Sequence, residues 1–374
     1  MTPFLNKHRN TLLIAGTALV VLGLSACGGN IDLSGAAGAG ETTEEASATP
    51  TEAAPILEEP TATPIPPATG KIIFASKRDG NTELYMTSPD GLEVTRLSAN
   101  AGIDSSATPR LSPDGAKIAF SATIGDNTDI YILDIASGLI SRVTDAPGKD
   151  VSPSWSPNGQ QLAFASFRDG NYEIYIVNSD GSHPIRLTND SSGDTTPIWS
   201  PVSNEIVFVS NRFGNSDLLL LSLNGAISPL TTTTAPENTP TWSPDGSVIA
   251  FQTFDGELAN ICLIGRDGLN QRCITPYAAK YSIPAWSQDS QWIAYHDYVN
   301  IQMYNLLDNS TVTLSQPGIE PRGILAWSPD GLRLVFQAEA NGDMDLYHAL
   351  IPTNEFTRIT AVPGYDGEPV WASR

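Results

Sequence analysis

A short pattern returns along this chain at nearly constant spacing, and that spacing constrains the fold more than any other feature. Leu111-Ser-Pro-Asp-Gly, Trp155-Ser-Pro-Asn-Gly, Trp199-Ser-Pro, Trp242-Ser-Pro-Asp-Gly, Trp286-Ser-Gln-Asp and Trp327-Ser-Pro-Asp-Gly begin 44, 44, 43, 44 and 41 residues apart, and Trp371 follows after another 44. Each copy continues into an apolar run that ends in an aromatic: Ile118-Ala-Phe120, Leu162-Ala-Phe164, Ile206-Val-Phe208, Ile249-Ala-Phe251, Ile293-Ala-Tyr295 and Leu334-Val-Phe336. A polar turn leads to a second β-formed run such as Asp129-Ile-Tyr-Ile, and a short run such as Ile185-Arg-Leu-Thr188 closes the unit. Proline second and glycine fourth suit a type I turn. Short β-rich runs between Gly, Asn and Asp turns, without helical periodicity, make strands and hairpins. Four strands in about 44 residues is one blade of a propeller. The expected fold is therefore all-β, built from four-stranded antiparallel blades.

The apolar-aromatic run occurs seven times, because Ile72-Ile-Phe74 precedes the first full copy. That first copy has no tryptophan strand before it, whereas Pro369-Val370-Trp371 has nothing after it to complete a blade. The two fragments make one blade between them. A seven-bladed ring over residues 71–374 follows, closed by pairing of its N- and C-terminal strands so that no sheet edge stays open at the seam.

The first seventy residues read differently. Lys7, His8 and Arg9 precede the mostly apolar stretch Thr11 to Leu24, which is too short for a membrane-crossing helix of about 20 residues. A basic start, a short apolar core and small residues after it describe an export signal, residues 1–26. Leu24-Ser25-Ala26-Cys27 resembles the lipobox of bacterial lipoproteins, which implies cleavage before Cys27 and lipidation of its sulfur. Residues 27–70, rich in Gly, Ala, Thr, Glu and Pro, lack the apolar side chains that would offset ordering entropy and read as a disordered tether. The expected location is exported and anchored by lipid to the cell membrane or outer membrane, with the propeller on the extracytoplasmic side.

The repeats resemble the WD-like, Pro-Asp type blades of the TolB family of bacterial propellers. TolB itself carries an α/β domain before a six-bladed propeller. This chain has a lipobox and tether in that place and counts seven blades, so the resemblance implies a TolB-like protein and not TolB itself. With 41 acidic and 20 basic residues the chain is poorly matched to a nucleic-acid backbone.

In this topology the loop entering each innermost strand and the loop after the aromatic run share one face. Five residues before each tryptophan position stand Ser106, Asp150, Asp194, Glu237, Tyr281, Arg322 and Asp366, an expected acidic ring at the channel mouth. Arg78, Arg168 and Arg212 are expected to form an outer arc on the same face. The bland reading is that such acids hold strand ends in register. His296, beside Asp297 and Tyr298, is the weak catalytic candidate; no metal site is legible. Cys262 and Cys273 fall opposite one another in a hairpin centred on Asp267-Gly268, within disulfide reach in an exported protein, or else remain free buried thiols.

Three functions remain open at this level. The first is a membrane-anchored, monomeric binding module for a protein or envelope polymer, needing no cofactor. The second is a polysaccharide lyase or hydrolase using His296, Tyr281 and the mouth acids. The third is a propeller with Ca²⁺ in its acidic mouth.

Overall fold

A computed structural model describes residues 65–98, 109–255, 258–275, 282–340 and 342–373. The export signal, Cys27 and most of the tether lie outside the described residues, as do Ser106 and Tyr281. The described chain forms seven four-stranded antiparallel sheets. Their first strands are Asp366–Ala372, Arg110–Leu111, Asp150–Trp155, Asp194–Trp199, Glu237–Trp242, Ala285–Trp286 and Glu320–Trp327, in blades 1 to 7 respectively. Each of these strands touches the equivalent strand of the blades before and after it, in a closed cycle. They therefore line the axis of a seven-bladed β-propeller.

Local chemistry sets each blade. After the tryptophan strand, the Ser112 hydroxyl donates to the Asp114 carboxylate and accepts the Lys117 amide, at 2.6 and 2.9 Å, while the Gly115 amide closes the turn on the Ser112 carbonyl at 2.8 Å. The same arrangement recurs at Ser156/Asn158, Ser243/Asp245, Ser287/Asp289 and Ser328/Asp330. Gly115 adopts a φ of 72°, which favours glycine there. The turn launches the second strand in fixed register, so its aromatic residue always lands in the middle of the blade. Phe74, Phe120, Phe164, Phe208, Phe251 and Phe336 are all fully buried. Four of them lie opposite a tyrosine of the third strand: Tyr85, Tyr131, Tyr175 and Tyr347. Burying each such side chain contributes on the order of 1.5–3 kcal/mol.

The core is divided among the seams between blades. Ala119, Ile130, Ile132 and Val143 of blade 2 pack with Trp155, Leu162 and Phe164 of blade 3. Equivalent clusters join every other neighbouring pair, including blades 7 and 1 through Val335, Leu346, Ile72, Phe74 and Trp371. The tryptophans also cross the seams. The indole N–H groups of Trp155, Trp242, Trp286 and Trp327 donate to the innermost-strand carbonyls of Arg110, Ile198, Thr241 and Ala285 in the preceding blade, at 2.9–3.3 Å.

Closure runs through blade 1, where Lys71, Ile72, Ile73, Ala75 and Ser76 pair with Ala372, Trp371, Val370, Gly367 and Asp366. Ordered packing begins slightly before Lys71. The Pro66 carbonyl accepts from Arg333 and the Thr69 carbonyl from the Trp371 indole, at 2.7 and 2.9 Å. In blade 5, Cys262 lies opposite Cys273 and the two form a disulfide. Cys262 occupies the slot that tyrosine fills in four other blades.

Candidate functional site at the channel mouth

The innermost strands start, and the second strands end, on one face. Asp150 pairs with Ser166, Asp194 with Ser210, Glu237 with Thr253 and Asp366 with Ser76. All four acids are buried. The side chain two residues beyond each of those serines folds back over the blade. Arg168 donates to Asp150 at 3.0 Å and to the Ser166 hydroxyl at 2.7 Å, and its guanidinium lies 4.5 Å over the Tyr175 ring. Arg78 repeats this with Asp366, Ser76 and Tyr85, and Arg212 with Asp194 and Ser210 over the Phe208 ring. The acids and arginines expected as an open ring and a separate outer arc are thus partners in buried ion pairs. A two-residue reach and the pleat aim both side chains into the blade, and the aromatic pair beneath gives the guanidinium a flat surface. Glu237 has no arginine; hydroxyls of Thr231 and Thr233 donate to it at 2.9 and 2.5 Å. Arg322 instead reaches over the Tyr298 ring at 5.3 Å and donates to the Tyr298 carbonyl at 2.9 Å.

A second tier of acids opens the third strands: Glu83, Asp129, Glu173, Asp217 and Asp345, all buried. Arg96, Arg142, Arg186 and Arg358 of the fourth strands pair with the first three and the last. The signal for this tier is present in the sequence as Arg-x-Ser/Thr in the fourth strand and an acid two residues before the third-strand tyrosine. A hydroxyl two residues after each arginine accepts the third-strand amide, as Thr188 does from Ile174 at 2.9 Å. Burial pushes the Asp129, Asp194 and Asp345 carboxyls above the usual range despite their arginines.

His296 is buried at the blade 6–blade 7 seam, with Nε2 3.1 Å from the Gly323 carbonyl. That bond fixes the proton on Nε2 and leaves Nδ1 as a buried acceptor without a donor. Burial pulls its pKa down to about 4, so the ring is neutral at pH 7. The neighbouring Asp297 carboxylate is occupied by the Val299 and Asn300 amides and by Gln302. No acid orients the imidazole and no three His, Cys, Asp or Glu side chains converge among the described residues. His296 has the surroundings of a seam strut.

The mouth face exposes apolar side chains among charged ones such as Lys77, Asp126, Lys149 and Asp255. Phe167 and Phe213, beside the two buried arginines, are 43% and 53% exposed, and Ile124, Tyr298 and Val299 occupy the corresponding hairpin tips of blades 2 and 6. Phenylalanine in a strand-rich repeat reads as core, so these tips were not legible as surface. Among the described residues no histidine of this face has a carboxylate beside it that would make an acid–base pair.

The fold is a seven-bladed β-propeller, and part of the chain is similar to TolB propellers. A family model described as the TolB beta propeller domain matches residues 104–265. A TolB homolog of Chlorobaculum tepidum is 40% identical over 68 residues, covering 18% of this chain and 15% of that protein. The Tol-Pal system protein TolB of Francisella tularensis is 36% identical over 90 residues, covering 23% and 20%. The chain thus spans about a fifth or less of the length of these curated relatives. Among solved structures, TolB from Acinetobacter baumannii aligns over 81% of this chain and 66% of its own, at 20% identity and a TM-score of 0.54. An oligogalacturonate lyase in complex with manganese aligns over 76% and 86%, at 14% identity and a TM-score of 0.63. At these identities both structures share the fold alone.

Proposed function

We propose that the protein is an extracytoplasmic interaction module, anchored to a membrane by lipid on Cys27, which presents its propeller's mouth face to a protein partner. One observation carries the reading: Arg78, Arg168 and Arg212 are tied to acids of their own blades, while Phe213 and Val299 stand exposed at the hairpin tips and Phe167, edge-on to Tyr172, keeps 43% of its surface in solvent. Exposed aromatic side chains on a rigid rim are the usual anchors of protein contacts. The likeness to a Tol-Pal system protein supports an envelope setting by analogy. The lyase reading gains no support from His296, which is buried and lacks an acid to orient it. Capture of envelope proteins by the full chain is the test. Phe167→Asp with Phe213→Asp should reduce retention of the specific partner about tenfold or more, which corresponds to the loss of one or two anchors. Equal retention by that variant and the natural sequence would contradict the reading.

A further inference from the structure

The seams between blades carry a regular charge pattern, and one seam breaks it. Where both acids of a seam are described, the third-strand acid of one blade faces the first-strand acid of the next. Between blades 2 and 3 these are Asp129 with Arg142 and Asp150 with Arg168. Between blades 3 and 4 they are Glu173 with Arg186 and Asp194 with Arg212, and between blades 7 and 1 Asp345 with Arg358 and Asp366 with Arg78. Each buried acid of these seams has its own arginine, and Arg186 also pairs with the surface Asp169.

Between blades 4 and 5 the acids are Asp217 and Glu237, both with no exposed surface. Both arginine positions are lost. Pro229 pairs with Leu219 where Arg142 and Arg186 pair with Tyr131 and Tyr175. Asp255 stands two residues beyond Thr253, where Arg168 stands two beyond Ser166. Among the described residues no cation pairs with either acid. Both carboxylate oxygens of Asp217 are buried without a well-formed hydrogen-bond donor, whereas Glu237 accepts from Thr231 and Thr233. The charged groups on the surrounding elements offer no compensation. Arg212 is committed to Asp194, Asp255 is exposed, and Arg266 pairs with Glu205 beyond the far end of the seam.

Two adjacent buried carboxylates cannot both ionise without a counter-charge. We propose that this seam binds one proton, shared between Asp217 and Glu237, in the place that the other seams fill with two arginines. Burial pushes both carboxyls up; Asp217 raises Glu237 further, while the hydrogen bond with Glu237 and the Thr233 amide pull Asp217 partly back. The pair titrates as a unit, so the proton is assigned to the pair and to neither residue. The sign follows. Unfolded carboxyls lose their protons near pH 4, so above that pH the folded chain holds a proton that the unfolded chain has released. The seam's contribution is complete at low pH and is lost as pH rises through the folded pair's titration. Two charges then face each other inside the ring at a seam where neither acid has an arginine. The blade 4–blade 5 seam becomes a proton-held joint where the 2–3, 3–4 and 7–1 seams hold ion pairs.

Thermal unfolding of the full chain, followed from about pH 5 to about pH 9, tests this, the span covering documented buried carboxyls. The natural sequence should lose several degrees in Tm as pH rises, and Asp217→Asn should clearly reduce that loss, leaving the part due to the raised Asp129, Asp194 and Asp345 carboxyls. Pro229→Arg, which supplies the missing guanidinium without touching either acid, should reduce it as well and serves if the first variant does not fold. An alkaline fall in either variant parallel to that of the natural sequence overturns the proposal. So does a calcium-dependent rise in Tm that Asp217→Asn abolishes, since a metal cation would then occupy the joint.

Discussion

Removing residues 368–374 should convert the ring into an open, aggregation-prone arc. The deletion takes away Val370, Trp371 and Ala372, the partners of Ile73, Ile72 and Lys71. It exposes the edge of the Lys71–Ser76 strand, whose residues after Lys71 are all buried in the intact ring. Trp371 also leaves the cluster with Ile72, Phe74, Val335 and Leu346 that joins blade 7 to blade 1. Loss of a buried tryptophan alone costs about 3–5 kcal/mol, and the exposed edge is a template for pairing with a second chain. The expected result is a Tm lower by more than ten degrees or so, on the scale of about 2–4 °C per kcal/mol for large domains, with loss of the monomer peak in light scattering. An unchanged Tm and a monomeric variant would refute closure by these strands.

The second large effect is expected at the ion pairs beneath the mouth. Arg168→Ala should destabilise the chain by about 3–5 kcal/mol, because it strands a buried carboxylate. Asp150 is fully buried and the Arg168 side chain only 18% exposed, so solvent cannot replace the lost partner. The stacking on Phe164 and Tyr175 is lost as well. Arg142→Ala, at a guanidinium nearly half in water, should cost clearly less. Changing Arg168 to Leu together with Asp150 to Asn should recover much of the loss, since no uncompensated charge remains. Denaturant midpoints of the variants at neutral pH check the ranking. If Arg168→Ala behaves like Arg142→Ala, the buried pairs are not what ties the ring.

Much of the architecture was legible from chemistry repeated at a fixed spacing. Ser-Pro-Asp-Gly fixes a turn, the turn fixes the register, and the register puts Phe164 and its equivalents in the same slot each time. The orphan fragments Ile72-Ile-Phe74 and Pro369-Val370-Trp371 gave both the blade count and the closure. The mouth was less legible because sequence gives position along a strand without giving the direction of a long side chain. Asp150 and Arg168 both belong to the predicted face, and sequence alone places them as separate rings. Only the pairing of Asp150 with Ser166 shows that Arg168 must return over Phe164 to meet the carboxylate. The neighbouring phenylalanines are pushed outward by the same geometry, since Phe167 and Phe213 follow or precede an arginine that turns in. The acids of the third strands were overlooked for a related reason: Glu173 sits in a β-formed run whose apolar neighbours dominate the pattern.

The pairing also bears on function. In the proposed reading, a rim whose buried acids are tied to arginines presents apolar tips to a partner, and its rigidity limits the ordering cost of binding. A proton-held joint in the same ring would make that rim sensitive to alkaline conditions between blades 4 and 5, next to the hairpin that carries Phe213.

Amide hydrogen exchange across the closing seam tests the central claim most directly. In a ring closed by its terminal strands, the amides that bridge Ile73 with Val370 and Lys71 with Ala372 belong to an interior pair, and they should exchange as slowly as those between Ala163 and Ser154 within blade 3. Exchange at the seam that is complete while blade 3 remains protected would mean that the ring is open there, and would contradict the account.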